Sequence, residues 1–289
     1  MRVRIFACIA GMFLTGAARA ASGSLAEAVM RDDRSAAQAL VRQKVDVNAS
    51  LADGTTALHW AAQNDDPATV ELLLAAGANA NAKDRYGFTP LYFACTNGNA
   101  AIARKLLDAG ADPNAADSGG ETALMTATRS GNVEVLKALL QHGAMVNARD
   151  SVSEQSALMW AVRSDHSDLV ALLLEFGADV SARTRKGKTP AVRPPGAGGG
   201  SHGVGIVRSG WPERGFQDAT PGGMTPLLYA ARDGRLQIAR TLVKAKADVN
   251  QTEVNGMTPL LVAITNNHLD TAKFLIEQGA DAKTADWWG

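Results

Sequence analysis

One seven-residue phrase, returning at an almost constant interval, limits the fold of this chain more than any other feature. Thr56-Ala57-Leu58-His59-Trp60-Ala61-Ala62 comes back as Thr89-Pro90-Leu91-Tyr92-Phe93-Ala94-Cys95, as Thr122-Ala123-Leu124-Met125-Thr126-Ala127-Thr128 and as Ser156-Ala157-Leu158-Met159-Trp160-Ala161-Val162. It returns again as Thr225-Pro226-Leu227-Leu228-Tyr229-Ala230-Ala231 and Thr258-Pro259-Leu260-Leu261-Val262-Ala263-Ile264. The steps from Thr56 to Thr89, Thr89 to Thr122 and Thr225 to Thr258 are each 33 residues, and that from Thr122 to Ser156 is 34. Five copies close alike, at Gly77-Ala78-Asn79, Gly110-Ala111-Asp112, Gly143-Ala144-Met145, Gly177-Ala178-Asp179 and Gly279-Ala280-Asp281. A unit this short cannot bury its apolar face alone, so neighbouring units must stack to complete a continuous core.

The residue types say what each unit is. Thr or Ser at the head of the phrase is a helix cap, and Pro at the next position has the φ of a first helical turn. Val70, Leu73, Leu74 and Gly77, like Leu136, Leu139, Leu140 and Gly143, follow i, i+3, i+4, i+7 spacing and mark a second helix. The glycine after it supplies a left-handed C-terminal residue, and an Asp/Asn/Gly-rich turn leads onward. The expected fold class is therefore all-α, a solenoid of stacked helix-turn-helix units with projecting turns. In the fifth repeat Lys246 stands where the other copies have glycine, so a left-handed backbone there would carry a side chain.

These copies resemble the ankyrin-repeat family, whose 33-residue unit carries a Thr-Pro-Leu-His-x-Ala motif. With the N-terminal segment described next, the resemblance is to an exported, bacterial-type member. It implies an ankyrin solenoid with β-turn fingers, a concave groove used for binding, and a structural hydrogen-bonding role for His59.

The N-terminus has the layout of a cleavable secretory signal over residues 1–20. Arg2 and Arg4 precede an apolar run from Ile5 to Gly16, and Ala18 and Ala20 are the small residues read at cleavage. That run is too short to span a bilayer, which needs about 20 residues. The expected mature chain starts at Ala21 and is exported, periplasmic or secreted, with no membrane span after signal cleavage. Residues 21–49 read as a degenerate capping repeat with polar Arg31, Asp32, Asp33, Arg34, Arg42 and Lys44. Residues 50–289 hold about six repeats, the fifth interrupted by a Gly/Pro-rich insertion near 188–223. Residues 286–289, Asp286-Trp287-Trp288-Gly289, match the opening of a further repeat. They leave open a chain that continues, or an exposed end; monomeric behaviour is expected unless that end is exposed.

Charge and chemistry exclude more than they suggest. The chain has 29 basic and 29 acidic residues, and losing Arg2, Arg4 and Arg19 leaves 26 against 29. That balance offers no footprint for nucleic acid. Without Cys8, Cys95 is a lone cysteine at a small apolar position, read as a buried hydrophobe. Gly187-Lys188-Thr189 echoes a phosphate loop, but Ala182 stands where its first glycine belongs and no helix follows Pro190. The five histidines are not spaced as metal ligands, and Ser201-His202 lies in the Gly-rich insertion with nothing rigid to orient a nucleophile. No catalytic, cofactor or metal site is expected.

What remains is surface. On the first helix, positions three and four apart share a face, which groups Trp60 with Gln63 and Asn64, Phe93 with Thr96 and Asn97, and Thr126 with Arg129 and Ser130. It also groups Trp160 with Arg163 and Ser164, and Tyr229 with Arg232 and Asp233. Aromatic and Arg anchors are what protein interfaces concentrate. The candidate partner-binding residues are Trp60, Phe93, Arg129, Trp160, Arg163, Tyr229 and Arg232 in the groove, Tyr86 and Phe88 at a turn tip, and Trp211 in the insertion. The residues leave open whether these rings face a partner or pack between repeats, and whether Trp211 docks or the insertion is a plain loop. A protein-binding scaffold is the leading reading. The alternatives are a stabilising helper for an exported enzyme, or the recognition half of a longer protein.

Overall fold

The computed structural model describes residues 24–185 and 222–283. Residues 1–20, expected to be a signal, most of the insertion with Trp211, and residues 286–289 lie outside the described residues.

Two short helices make each unit. The first unit is α1 (Leu25–Met30) and α2 (Arg34–Arg42), followed by α3 (Ala57–Gln63) with α4 (Pro67–Ala75) and α5 (Pro90–Asn97) with α6 (Ala100–Asp108). Then come α7 (Ala123–Ser130) with α8 (Val133–Gln141), α9 (Ala157–Arg163) with α10 (Ser167–Glu175), α11 (Pro226–Arg232) with α12 (Leu236–Lys244), and α13 (Pro259–Thr265) with α14 (Leu269–Glu277). First helices pack on first helices of adjacent units, and second helices on second helices. The described residues contain no strand, only isolated antiparallel bridges such as Ser50 to Thr56 at the base of a turn finger. This is the all-α solenoid of stacked helix pairs that the sequence pattern leads one to expect.

Of the six Thr or Ser residues that head the repeated phrase, four cap their helix through a plain hydroxyl-to-amide bond. The hydroxyls of Thr89, Thr122, Thr225 and Thr258 accept the amide N–H three residues on, at 3.4, 3.5, 3.2 and 3.3 Å. Ser156 does not: its hydroxyl is buried without a partner among the described residues. The expectation of a cap there is corrected. At Thr56 the backbone N–H donates to His59 Nδ1 (3.1 Å), which makes Nδ1 the acceptor and Nε2 the donor to the Phe88 carbonyl at 3.1 Å. His59 thus ties its helix to the next finger as a neutral ring, and burial pushes its pKa below the usual value.

Each stripe enters a continuous core: Val70, Leu73, Leu136 and Leu139 are fully buried, as is Cys95, whose thiol burial pushes up in pKa. Between units runs a ladder of asparagines. Asn48, Asn81, Asn114 and Asn147 donate to the carbonyls of Gly77, Gly110, Gly143 and Gly177, at 3.2, 2.8, 3.1 and 3.1 Å. The same four side chains accept the amide two residues beyond each glycine, at 2.7 to 2.8 Å. Pairing one backbone acceptor and one backbone donor of the next unit at each step fixes the register of one unit on the next. In the next unit the ladder position is Ser181, which bonds within its own turn, to Asp179.

The fingers explain how the pattern absorbs extra residues. In regular units a first finger residue donates to the carbonyl four residues on, as in Asp84 N to Phe88 O (3.0 Å) and Asp117 N to Glu121 O (3.1 Å). The 34-residue step becomes Asp150 N to Gln155 O (3.0 Å), with Glu154 at φ 57° taking up the added residue. Across the insertion the same bond is Thr184 N to Met224 O (3.0 Å), reinforced by Met224 N to Thr184 Oγ1 (3.0 Å). The described residues on either side of the insertion therefore meet with ordinary finger-base geometry.

Lys246 has φ 72°, beside 83° to 88° at Gly77, Gly110, Gly143, Gly177 and Gly279. Its N–H donates to Val243 O (2.9 Å) just as that of Gly77 does to Leu74 O (3.0 Å). A Cβ at any of those glycines meets open space, so the only cost of a side chain is the left-handed backbone itself. That cost is roughly 1 kcal/mol, partly offset by the greater freedom of an unfolded glycine. Lys246→Gly is expected to raise stability by about 0.5 kcal/mol. Equilibrium urea unfolding checks it, and a lower midpoint for the glycine variant contradicts it.

Candidate functional site

Two clusters form on the side of the array lined by the first helices. The first is aromatic. Asp84 Oδ1 accepts the N–H groups of Tyr86 and Phe88, both at 2.8 Å, and so shapes a finger that carries two rings. Phe88 stacks on Tyr92 (centroids 4.2 Å, interplanar 25°), and Tyr92 meets Phe93 edge-on at 5.6 Å. His59 closes the nest against Phe93 at 6.2 Å. Tyr86 is 50% exposed, with the Arg85 guanidinium 4.7 Å from its ring centre. Sequence reasoning named Tyr86, Phe88 and Phe93; Tyr92 and Arg85 escaped it. Tyr92 occupies the motif's histidine position and could have been found by asking which other ring stands there.

The second cluster is a ladder of alternating guanidinium groups and rings. Arg129 lies 5.5 Å from the Trp160 ring centre, and Arg163 lies 5.9 Å from Trp160 and 5.6 Å from Tyr229. Arg232 follows at 4.9 Å from Tyr229. Such contacts are worth about 0.5–1 kcal/mol where exposed and more where desolvated. Each end is neutralised: Arg129 pairs with Glu121 at 3.0 Å and Arg232 with Asp233 at 2.7 Å. Thr126, buried at the head of its inner-face group, donates to Glu121 at 2.9 Å and fixes that carboxylate. In the centre Arg163 Nη1 donates to Gln155 Oε1 at 3.0 Å, while Gln155 Nε2 reaches Tyr229 Oη at 3.3 Å. Arg163 itself is exposed and has no ion pair among the described residues.

The residue after the motif's histidine position leads the inner face in each of the six copies, Val262 in the last, and these six divide unequally. Trp60, Phe93 and Trp160 are half-buried, each with a face in solvent. Thr126, Tyr229 and Val262 are buried, at 1%, 0% and 6% exposure. The expectation that Tyr229 meets a partner directly is corrected: Gln155 and Arg163 of the preceding unit and Arg232 of its own close over it. Tyr229 is instead the floor on which two arginines rest. The indole N–H groups of Trp60 and Trp160 are buried without an acceptor among the described residues.

Gln155 and Glu121 were also missed. They share a column with Thr55, Phe88, Met224 and Met257, immediately before each helix cap. In Phe88, Glu121 and Gln155 that column supplies the side chain that reaches onto the inner helix face. Trp60 leads the same face from α3, one unit before the aromatic nest, and Trp211 lies outside the described residues. No group of three or more His, Cys, Asp or Glu among the described residues is arranged to hold a metal ion, and no described helix is long and apolar enough to cross a membrane.

A family model described as ankyrin repeats matches three times, over residues 25–117, 115–184 and 206–286. Among solved structures the chain is similar to the human ASB11 ankyrin repeat domain, at 22% identity and TM-score 0.66, covering 90% of this chain and 99% of that one. It is also similar to the ankyrin repeat domain of Bcl-3, from the IkappaB protein family, at 28% identity and TM-score 0.66, covering 88% of this chain and 99% of that one. No curated relative matches the chain.

Proposed function

Because the chain belongs to the ankyrin-repeat family, we propose that it is an exported, non-catalytic scaffold that binds a protein partner through its concave face and finger tips. Ankyrin repeats mediate protein–protein interaction, and the question for one array is which surface is built for it. The observation that carries this reading is the half-exposed Trp160 held between Arg129 and Arg163. Rigid rings beside arginine are what hot spots are made of, because they bury large area at little entropic cost. The Tyr86, Phe88, Tyr92 and Phe93 nest, two units before Trp160, supplies a second anchor. Export is supported by the succession of Arg2 and Arg4, the apolar run and the small residues Ala18 and Ala20.

The test uses protein recovered from the extracytoplasmic fraction of cells that make it. Its first residue is expected to be Ala21, and a partner polypeptide is expected to co-purify. Trp160→Ala should weaken that partner by at least about 2 kcal/mol, roughly thirtyfold in Kd, with the helical circular dichroism unchanged. Lys137→Gln, on the exposed side of α8, should leave binding intact. Soluble cytoplasmic protein that retains Met1 would sink the export reading; equal retention by Trp160→Ala would sink the choice of surface.

A further inference from the structure

The charge pattern of the ladder says what kind of group the partner brings to it. Three guanidinium groups lie along it, and the two outer ones already have carboxylates, Glu121 and Asp233. Among the described residues of the ladder, only Arg163 is left with a full positive charge, held between Trp160 and Tyr229 and bonded on one edge to the neutral Gln155. Arg163 has five N–H donors and no acceptor, so its unused capacity is entirely donor. The Trp160 ring beside it is half-buried and keeps part of its apolar surface open. The complement of such a place is a single anionic acceptor with apolar surface next to it.

We propose that Arg163 receives one carboxylate from the partner, an Asp or Glu side chain, while the neighbouring residue of the partner covers the exposed face of Trp160. The proposal rests on the concave face being the binding surface and deepens it by naming the anchor. Polypeptide is favoured over nucleic acid because Glu121 and Asp233 stand on either side of Arg163, the ladder's unneutralised cation among the described residues. Consecutive phosphates laid along the ladder would meet those carboxylates, whereas one acidic side chain meets only Arg163. The balanced 29 to 29 charge of the chain gives a polyanion no wider field to follow. Its place between two rings, with one edge bonded to Gln155, already limits the guanidinium, so less freedom is lost when it binds a carboxylate.

A random dodecapeptide library displayed on phage, panned against the full-length mature protein, tests this while the natural partner is still unidentified. Peptides containing Asp or Glu next to an apolar residue are expected to be enriched. An enriched peptide should bind Arg163→Gln at least about tenfold more weakly, the scale of one charge-assisted hydrogen bond. Arg163→Lys should keep the preference for an acid, and replacing the peptide's acid with its amide should match the loss seen in Arg163→Gln. Circular dichroism of both variants should be that of the parent. Enrichment of peptides without acids that still compete for Trp160 would overturn the carboxylate anchor and leave the concave-face reading standing. No enrichment at all would overturn both. Tighter binding of a fluorescent single-stranded oligonucleotide than of any peptide would replace the proposed partner class with nucleic acid and so overturn the proposal.

Discussion

Tyr229→Ala is expected to cost the array about 3 kcal/mol or more, the scale of an aromatic side chain removed from a packed interior. Tyr229 is among the largest fully buried side chains in the protein. Its ring also carries Arg163 and Arg232, and its hydroxyl faces Gln155 across a sequence separation of 74 residues. That separation spans the insertion, so the ring is one of the side chains that hold the two parts of the array together. Others are Arg183, whose Nη1 donates to Thr252 O at 2.7 Å, and Arg235, which pairs with Asp165 at 2.7 Å. In a solenoid, stability is a sum of unit terms and nearest-neighbour couplings. Weakening one coupling should therefore do more than shift a midpoint. Urea unfolding of Tyr229→Ala is expected to broaden or split into two steps, with α11 to α14 losing structure first. Tyr229→Phe keeps the ring and should cost less than about 1.5 kcal/mol. A single transition for Tyr229→Ala within about 0.5 kcal/mol of the parent, the usual range of surface substitutions, would return this ring to the surface.

The repeat was legible because it is written in residue identity: the same seven positions, the same glycine, the same interval. Fold class and helix pairing need nothing more, since each unit's stripe can only be buried by its neighbours. The surface was less legible, and Tyr229 shows why. By helical spacing it sits on the same face as Trp60 and Trp160. Exposure, though, depends on what the preceding unit lays across that face, and there Gln155 and Arg163 reach over. Ser156 makes the same point for caps: the residue type fits, yet its hydroxyl finds no amide. Lys246 is the opposite case. An aligned glycine column already specifies a backbone angle, because positive φ is a local property that one residue's neighbours in sequence decide, and the angle at Lys246 follows that column.

The second large effect lies at the other end of the array, in a carboxylate that the repeat pattern does not single out. Asp66 is 3% exposed and caps α4, accepting the N–H groups of Ala68 and Thr69 at 3.2 Å each and the Thr69 hydroxyl. Arg34 of the first unit reaches it at 2.8 Å, so one side chain both starts α4 and fastens the first unit to the second. Burial alone would raise its pKa. The Thr69 hydroxyl and amide, Arg34 and the Ala68 amide outweigh that and hold it below the usual carboxylate range. Asp66→Ala removes the cap and strands the buried Thr69 hydroxyl, for an expected loss of about 3 kcal/mol. Asp66→Asn keeps an acceptor and should lose about 1 kcal/mol. The sign of the pH effect follows from the depressed folded value. The charged form's contribution is fully present above the unfolded carboxylate range near pH 4 and fades as pH falls through the lower folded value. Asp66→Asn has no such group to titrate, so its deficit against the parent should shrink as the solution is acidified. Because the first unit packs, among the described residues, on the second unit alone, the loss should appear first as local opening, read as faster amide exchange in α1 to α4. If the parent and Asp66→Asn lose stability in parallel between about pH 5 and pH 2, the carboxylate is not held in its charged form by these partners, and the junction is maintained by apolar packing of Val29 and Ala37 instead.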